Sequence, residues 1–164
     1  MSGTEQEKRL HCVCFTGHRP EKIRRSEEEI KSELTLQIEK AIEDGFHVFI
    51  TGMARGVDIW AAQIVLGLKE SGAKITLVCA CPYDGFETKW SRAWQEQYRQ
   101  VLAAADFVRY ISDRYSLACF DVRNRWMVDH SSRVIAVYSG LKSGTKDTID
   151  YANRKSVPVV QLKG

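Results

Sequence analysis

The sequence predicts an α/β protein, a single domain on an open, mostly parallel six-stranded sheet with helices on both faces. Three observations carry that expectation. Six short apolar runs alternate with five longer segments whose apolar residues recur at helical spacing. The runs are nearly continuous in hydrophobicity, as strands are when helices cover both sheet faces. Glycine-bearing turns separate the two kinds of segment, and strands that alternate with helices join in parallel through crossovers of one hand.

Met1 to Arg9 is polar and charged and reads as a tail, residues 1–9, ahead of a domain spanning residues 10–164. Leu10 to Thr16 is the first strand. Ser26 is a good N-cap, with Glu27 to Glu29 at the positive end of a helix whose stripe is Ile30, Leu34, Ile38, Ala41 and Ile42. Gly45 stops it. Phe46 to Thr51 is the second strand, and Val57, Trp60, Ala61, Ile64, Val65 and Leu68 form the next helical stripe. Ala73 to Ala80 is the third strand. After a loop with Pro82 and Gly85, a helix runs from Lys89 to Ala104 with Trp90, Trp94, Tyr98, Val101 and Leu102 on one face. Asp106 to Ile111 is the fourth strand, Asp121 to His130 a helix, and Arg133 to Tyr138 the fifth strand. A helix from Gly144 to Arg154 leads to the last strand, Val157 to Leu162, where Pro158 suits a sheet edge.

Composition bounds the function. The chain has 164 residues, 44% hydrophobic and 27% charged, which suits one globular domain. A net charge of +3 does not favour a dedicated nucleic-acid binder. No apolar run approaches the roughly 18 residues of a membrane span, and the N-terminus has no signal-peptide core, so a cytoplasmic protein without a membrane partner is expected. Cys12 with Cys14, and Cys79 with Cys81, stand two apart on strands, where each pair shares a face. Core packing accounts for them better than a zinc site or a disulfide, and no metal is expected.

Ligands of open parallel sheets bind beyond the carboxyl ends of the strands, where the strand order reverses. With the usual order 3-2-1-4-5-6, the crevice falls between strands 1 and 4. The loops there carry Thr16, Gly17, His18 and Arg19; Gly52, Met53, Ala54, Arg55 and Gly56; Arg123 and Asn124; and Gly140, Gly144 and Thr145. Arginine forks and the free N–H groups of helix starts suit phosphate. Asp58 can accept from ribose hydroxyls or brace its own helix start. Trp90 or Tyr115 offers a surface for a base. Asp58, Asp129 and Asp147 are the candidate catalytic carboxylates, and His18 a candidate acid–base or phosphate contact.

Phe15-Thr16-Gly17-His18-Arg19-Pro20, the block from Thr51 to Asp58, the block from Arg123 to Asp129, and Ile135 to Tyr138 followed by a Gly-x3-Gly-Thr loop resemble the signature blocks of YpsA-like proteins. These belong to the Rossmann-like SLOG superfamily, which joins the Smf/DprA DNA-processing proteins with the LOG cytokinin-activating enzymes. The Thr51–Asp58 block also resembles the SGxARGxD segment of DprA, and Phe120 to Arg125 its FPxRNR. The resemblance spans about residues 12–162. It implies a Rossmann-like fold, a site for nucleotides or NAD-derived, ADP-ribose-like molecules, and a bacterial or phage source.

LOG enzymes carry PGGxGTxxE, whose glutamate takes part in catalysis. Here the corresponding loop is one residue longer and Thr148 stands at the glutamate position. Asp147 is one position away, a rotation of roughly 100° on a helix. The expectation is therefore a binding protein, a sensor or sequestering module for a nucleotide-type small molecule, with no obligatory cofactor. The alternatives are an N-glycosidic-bond hydrolase acting on nucleotide or NAD-type substrates, and a DprA-like single-stranded DNA module. A homodimer or higher homo-oligomer fits this kind of fold.

Overall fold

The computed structural model describes residues 4–164. Six strands, β1 (Cys12–Gly17), β2 (Val48–Thr51), β3 (Thr76–Cys81), β4 (Phe107–Tyr110), β5 (Arg133–Tyr138) and β6 (Val159–Lys163), form one all-parallel sheet. Its order is β4-β3-β2-β1-β5-β6. The expected order placed the fourth strand beside the first. Instead β4 lies at the far edge beyond β3, and β5 takes the place next to β1. The crevice at the order reversal therefore opens between β1 and β5.

The helices are α1 (Glu5–Arg9), α2 (Glu27–Glu43), α3 (Val57–Glu70), α4 (Arg92–Ala104), α5 (Cys119–Asp129) and α6 (Gly144–Arg154). A short 3-10 turn covers Pro20–Lys22. The segment expected as a polar tail holds α1, closed by a capping box in which Thr4 and Glu7 each accept from the other's backbone N–H. The Ser132 hydroxyl donates to the Arg9 carbonyl at 2.8 Å and ties that helix end to the domain. The helix expected from Lys89 starts three residues late, at Arg92, because Ser91 caps it while the Trp90 N–H closes a turn onto Glu87.

Side-chain alternation divides the core into two layers. Val13, Phe15, Phe49, Leu77, Ile135 and Val137 face α2, α3 and α4. Cys14, Ile50, Ala80, Val134 and Ala136 face α5 and α6. All five cysteines are buried thiols, and Cys12, Cys14, Cys79 and Cys81 sit in these layers. Burial pushes the Cys14 thiol up to about 12 and the Cys81 thiol up to about 11, so both stay protonated. The two edge strands depart from the expected two-sided burial: all four residues of β4 are exposed, and β6 has none that is buried.

Candidate functional site

The loops after β1 and β2 are shaped by glycines that make room for other protein atoms. A Cβ on Gly17, at the end of β1, would lie 2.5 Å from Cβ of Val57, the first residue of α3. Gly56, at φ 90°, is the N-cap of α3, and a Cβ there would meet Pro20 at 2.9 Å and the His18 carbonyl at 3.1 Å. The first two loops are thereby interlocked. A Cβ on Gly52 would stand 2.9 Å from the Asp58 carboxylate and 3.0 Å from the Arg123 guanidinium. Met53 next to it has φ 64°, a left-handed backbone that costs a bulky residue roughly 1–2 kcal/mol. That bend lets the Ala54 N–H reach the Asp58 carboxylate at 3.2 Å, while the Thr51 hydroxyl donates to the Asp58 carbonyl at 2.8 Å.

These loops surround a cavity of about 410 Å³. Thr16, Gly17, His18 and Arg19 line it from the β1 loop, and Ala54, Arg55 and Asp58 from the β2 loop and α3. Arg123 and Asn124 enter from α5, and Gly144 and Thr145 from the start of α6. Trp90 completes the expected residues. Lys22, Phe86, Phe120 and Ser143 also line the cavity and were not singled out from the sequence. Phe120 opens the segment that resembles the FPxRNR of DprA, so its signal was present in the sequence. Ser143 announces itself only as the N-cap of α6, accepting from the Lys146 N–H.

Several expected residues lie elsewhere. The Met53 side chain is fully buried in the core, and Gly52 and Gly56 are covered by the protein contacts just described. Gly140 is exposed, with open space around it. Tyr115 is outside the cavity and packs edge-on against Tyr83 at 5.8 Å. Asp129 ends α5 at a separate hollow with Gln6, Arg9 and His130, where it accepts from the Tyr151 hydroxyl at 2.7 Å. Asp147 is exposed on the first turn of α6 and does not line the cavity. Of the three candidate carboxylates, only Asp58 faces it.

The chemistry of the cavity is uneven. Four cationic side chains, Arg19, Lys22, Arg55 and Arg123, line it against the one carboxylate of Asp58. Arg55 is shared with Glu21 at 2.6 Å on the rim. Burial raises the Glu21 carboxyl, but the bonded Arg55 fork outweighs it and holds the group below its ordinary value. Arg123 is buried. It donates to the Gly52 carbonyl and, through Nε, to Asn124 at 2.8 Å. Burial pulls its pKa down and the Asp58 charge opposes that.

Burial raises the Asp58 carboxyl to about 6, against the Arg123 charge and the Ala54 N–H. Its Oδ1 has no partner within the protein. His18 is 2% exposed, and neither of its ring nitrogens has a hydrogen-bond partner. Burial first, then the Lys22 charge, lower its pKa, so the imidazole is neutral at pH 7.

Beside these polar groups the cavity has an aromatic wall of Phe86, Trp90 and Phe120. Phe86 packs edge-on against Trp90 at 5.0 Å, and Tyr83 against Phe120 at 6.4 Å. The N-termini of α3 and α6, neither closed by a carboxylate cap, supply partial positive charge and free N–H groups at the floor.

Comparison with known proteins places the fold. The model of the YspA SLOG family matches residues 13–159. The SPbeta prophage-derived protein YoqJ of Bacillus subtilis is 31% identical over 138 residues, covering 76% of this chain and 81% of the relative. The UPF0398 protein BH1768 of Halalkalibacterium halodurans is 32% identical over 118 residues, 71% of this chain but 62% of that protein. Among solved structures, DNA processing protein A of Helicobacter pylori, described for its single-stranded DNA binding mode, superposes with TM-score 0.66 at 20% identity. That match covers 98% of this chain and 68% of the other. The Moco carrier protein of Chlamydomonas superposes with TM-score 0.58 at 21% identity, over 95% and 78% of the two chains. At these identities the structural matches establish the Rossmann-like fold.

Proposed function

The chain belongs to the YspA SLOG family, and from that premise we propose that it is a binding protein, a sensor or sequestering module, for a nucleotide or an NAD- or ADP-ribose-derived small molecule. One observation carries this reading. Three buried polar atoms without protein partners, both His18 ring nitrogens and Asp58 Oδ1, sit in a cavity that also has a cationic floor and an aromatic wall. Buried polar groups are ordinarily satisfied, and orphans gathered in one cleft await groups from a ligand.

The roles follow from the chemistry. Phosphate oxygens accept from the Gly144 and Thr145 N–H groups and from Arg19 and Arg55. Ribose hydroxyls donate to Asp58 Oδ1. His18, neutral, offers one donor and one acceptor. A base packs on Trp90, Phe86 or Phe120. The volume of about 410 Å³ is in the usual range for small-molecule sites. A structural neighbour named as a carrier protein is in keeping with a holding role.

The test is thermal melting with NAD, ADP-ribose and nucleoside monophosphates, paired with chromatography for released base or ribose. Stabilisation without turnover is expected. In the same assay Arg55→Ala abolishes the stabilisation and leaves unliganded melting nearly unchanged, because its half-exposed pair with Glu21 is worth at most about 1 kcal/mol. Full binding by that variant would remove Arg55 from the phosphate role.

A second reading, an N-glycosidic-bond hydrolase, is favoured by one feature: Asp58 is a cavity carboxyl raised to about 6, where it can exchange a proton near neutrality. Released base in the product analysis would establish it over simple binding. Single-stranded DNA binding that weakens steeply with salt would instead favour a role like that described for the Helicobacter pylori protein.

A further inference from the structure

Two neighbouring residues on α5 are tied to each other at the cavity. Arg123 is 4% exposed and commits two nitrogens inside the protein. Its Nη1 donates to the Gly52 carbonyl, and its Nε donates to Asn124 Oδ1 at 2.8 Å. An arginine can only donate, so this bond fixes which end of the Asn124 amide faces it. The amide oxygen turns to Arg123, and Nδ2 with its two protons turns away.

Nδ2 is directed at the start of α6. It lies 3.8 Å from where a Cβ on Gly144 would stand. At Gly17, Gly52 and Gly56 that position is crowded by other protein atoms at 2.9 Å or closer. At Gly144, apart from α6 and its cap, the Asn124 amide alone among the described residues comes within 4 Å. Further donors meet the amide there. The Gly144 and Thr145 N–H groups belong to the first turn, beyond reach of the helix's own carbonyls. Thr145 is 5% exposed, and its hydroxyl forms no hydrogen bond within the described residues. The Thr148 hydroxyl, one turn on, instead donates to the Gly144 carbonyl at 2.8 Å. This helix start opens on the cavity in which the buried His18 ring and Asp58 Oδ1 also lack partners. Donors gathered with no carboxylate among them suit phosphoryl oxygens, and an amide already held in place loses little freedom on bonding.

We propose that Asn124 is a phosphate-binding residue at the start of α6, and that Arg123 is the positioning residue that keeps its amide donor end forward. This rests on the binding reading above only in requiring a phosphate-bearing ligand in the cavity. Arg123 acts through its neighbour rather than as a phosphate fork of its own.

Heteronuclear NMR of the nitrogen-labelled full chain, titrated with inorganic phosphate, tests it. The Gly144 and Thr145 amide signals and the Asn124 side-chain pair are expected to move together with one dissociation constant. The Arg123 Nε–H signal, engaged with Oδ1, is expected to stay in place. Movement of that signal as large as that of the Asn124 pair overturns the proposal. Asn124→Asp keeps an acceptor for Arg123, so melting is not lowered, but loses the donors and weakens phosphate at least about tenfold. Unchanged affinity in that variant overturns the proposal too. Arg123→Lys weakens phosphate about tenfold in the parent and less than about twofold in an Asn124→Ala background. Equal losses in both backgrounds mean direct contact by Arg123, against the proposal; if Arg123→Lys does not fold, the Nε–H signal decides. Adenosine monophosphate is expected to move the same signals at lower concentration than phosphate, and adenosine not to move them. Tighter binding of free phosphate would give the seat to the inorganic ion and leave both residue roles standing. Adenosine monophosphate that binds without moving the Asn124 pair overturns this proposal and leaves the nucleotide reading intact. No response to phosphate, adenosine monophosphate or ADP-ribose overturns both.

Discussion

A buried carboxylate with an unpartnered oxygen destabilises the protein that holds it, and Asp58 does so. Its folded-state pKa, about 6, lies above the ordinary 3.8, so the folded state holds the proton more tightly than the unfolded chain. Stability from this group is therefore highest in acid and falls as pH rises from about 4 to 6. Asp58→Asn removes the charge and keeps an acceptor for the Ala54 N–H. Chemical denaturation at pH 8 is expected to show the unliganded variant more stable by ~1–3 kcal/mol. The gain shrinks as the pH is lowered through 6, where the wild-type carboxyl takes up its proton. The same variant loses nucleotide stabilisation, since a carboxamide nitrogen cannot accept from a ribose hydroxyl. A variant less stable at pH 8 would show that the Asp58 charge is well satisfied in the fold, and would remove the orphan oxygen from the case for a ligand. The sequence made Asp58 a candidate but could not separate it from Asp129 and Asp147. Burial and facing, which separate them, depend on how α3, α5 and α6 pack.

At the scale of elements, the β1 and β2 loops act as one piece because glycines let them touch. Gly17→Ala would drive a methyl to 2.5 Å from Val57 Cβ, an atom on a helix backbone that has no rotamer to escape into. The expected cost is ~2–4 kcal/mol, read as a lowered melting temperature, together with loss of the His18 and Arg55 placement at the cavity. Wild-type stability in that variant would mean that α3 can retreat from β1. In the sequence these glycines stand among the residues expected at the ligand edge. Gly17 makes room for Val57, Gly56 for Pro20, and Gly52 for Asp58 and Arg123. A glycine in a sequence shows that a Cβ is absent and leaves open what fills its place. Helix periodicity was a better guide: the Gly144 to Arg154 helix was legible to both ends, and Ser26 and Ser143 cap the helices they precede.

For the whole molecule, the alternating pattern fixed an α/β sheet but could not order its strands. The expected and observed orders both consist of parallel crossovers, and the difference lies in where one connection lands. From β4 at the edge, the chain through Ser112 to Ala118 and α5 passes β3, β2 and β1 to reach β5. The length of that connection was visible, while its destination was not. The candidate residues nevertheless converge, because every strand of a parallel sheet delivers its following loop to the same edge.

The central place of β1 also sets an order of events in the life of the chain. Its Val13 pairs with Phe49 on one side and with Arg133, 120 positions later, on the other. A nascent chain emerging from the ribosome can assemble β1 through β4 from neighbouring crossovers, yet that four-stranded sheet lacks the β5 side of the cavity and the α6 helix start. Competence to bind thus arrives only with the last fifth of translation. Stalled chains released after Ile111 are expected to show helical circular dichroism and no nucleotide protection, and protection by such a fragment would mean that β5 and α6 are dispensable to the site.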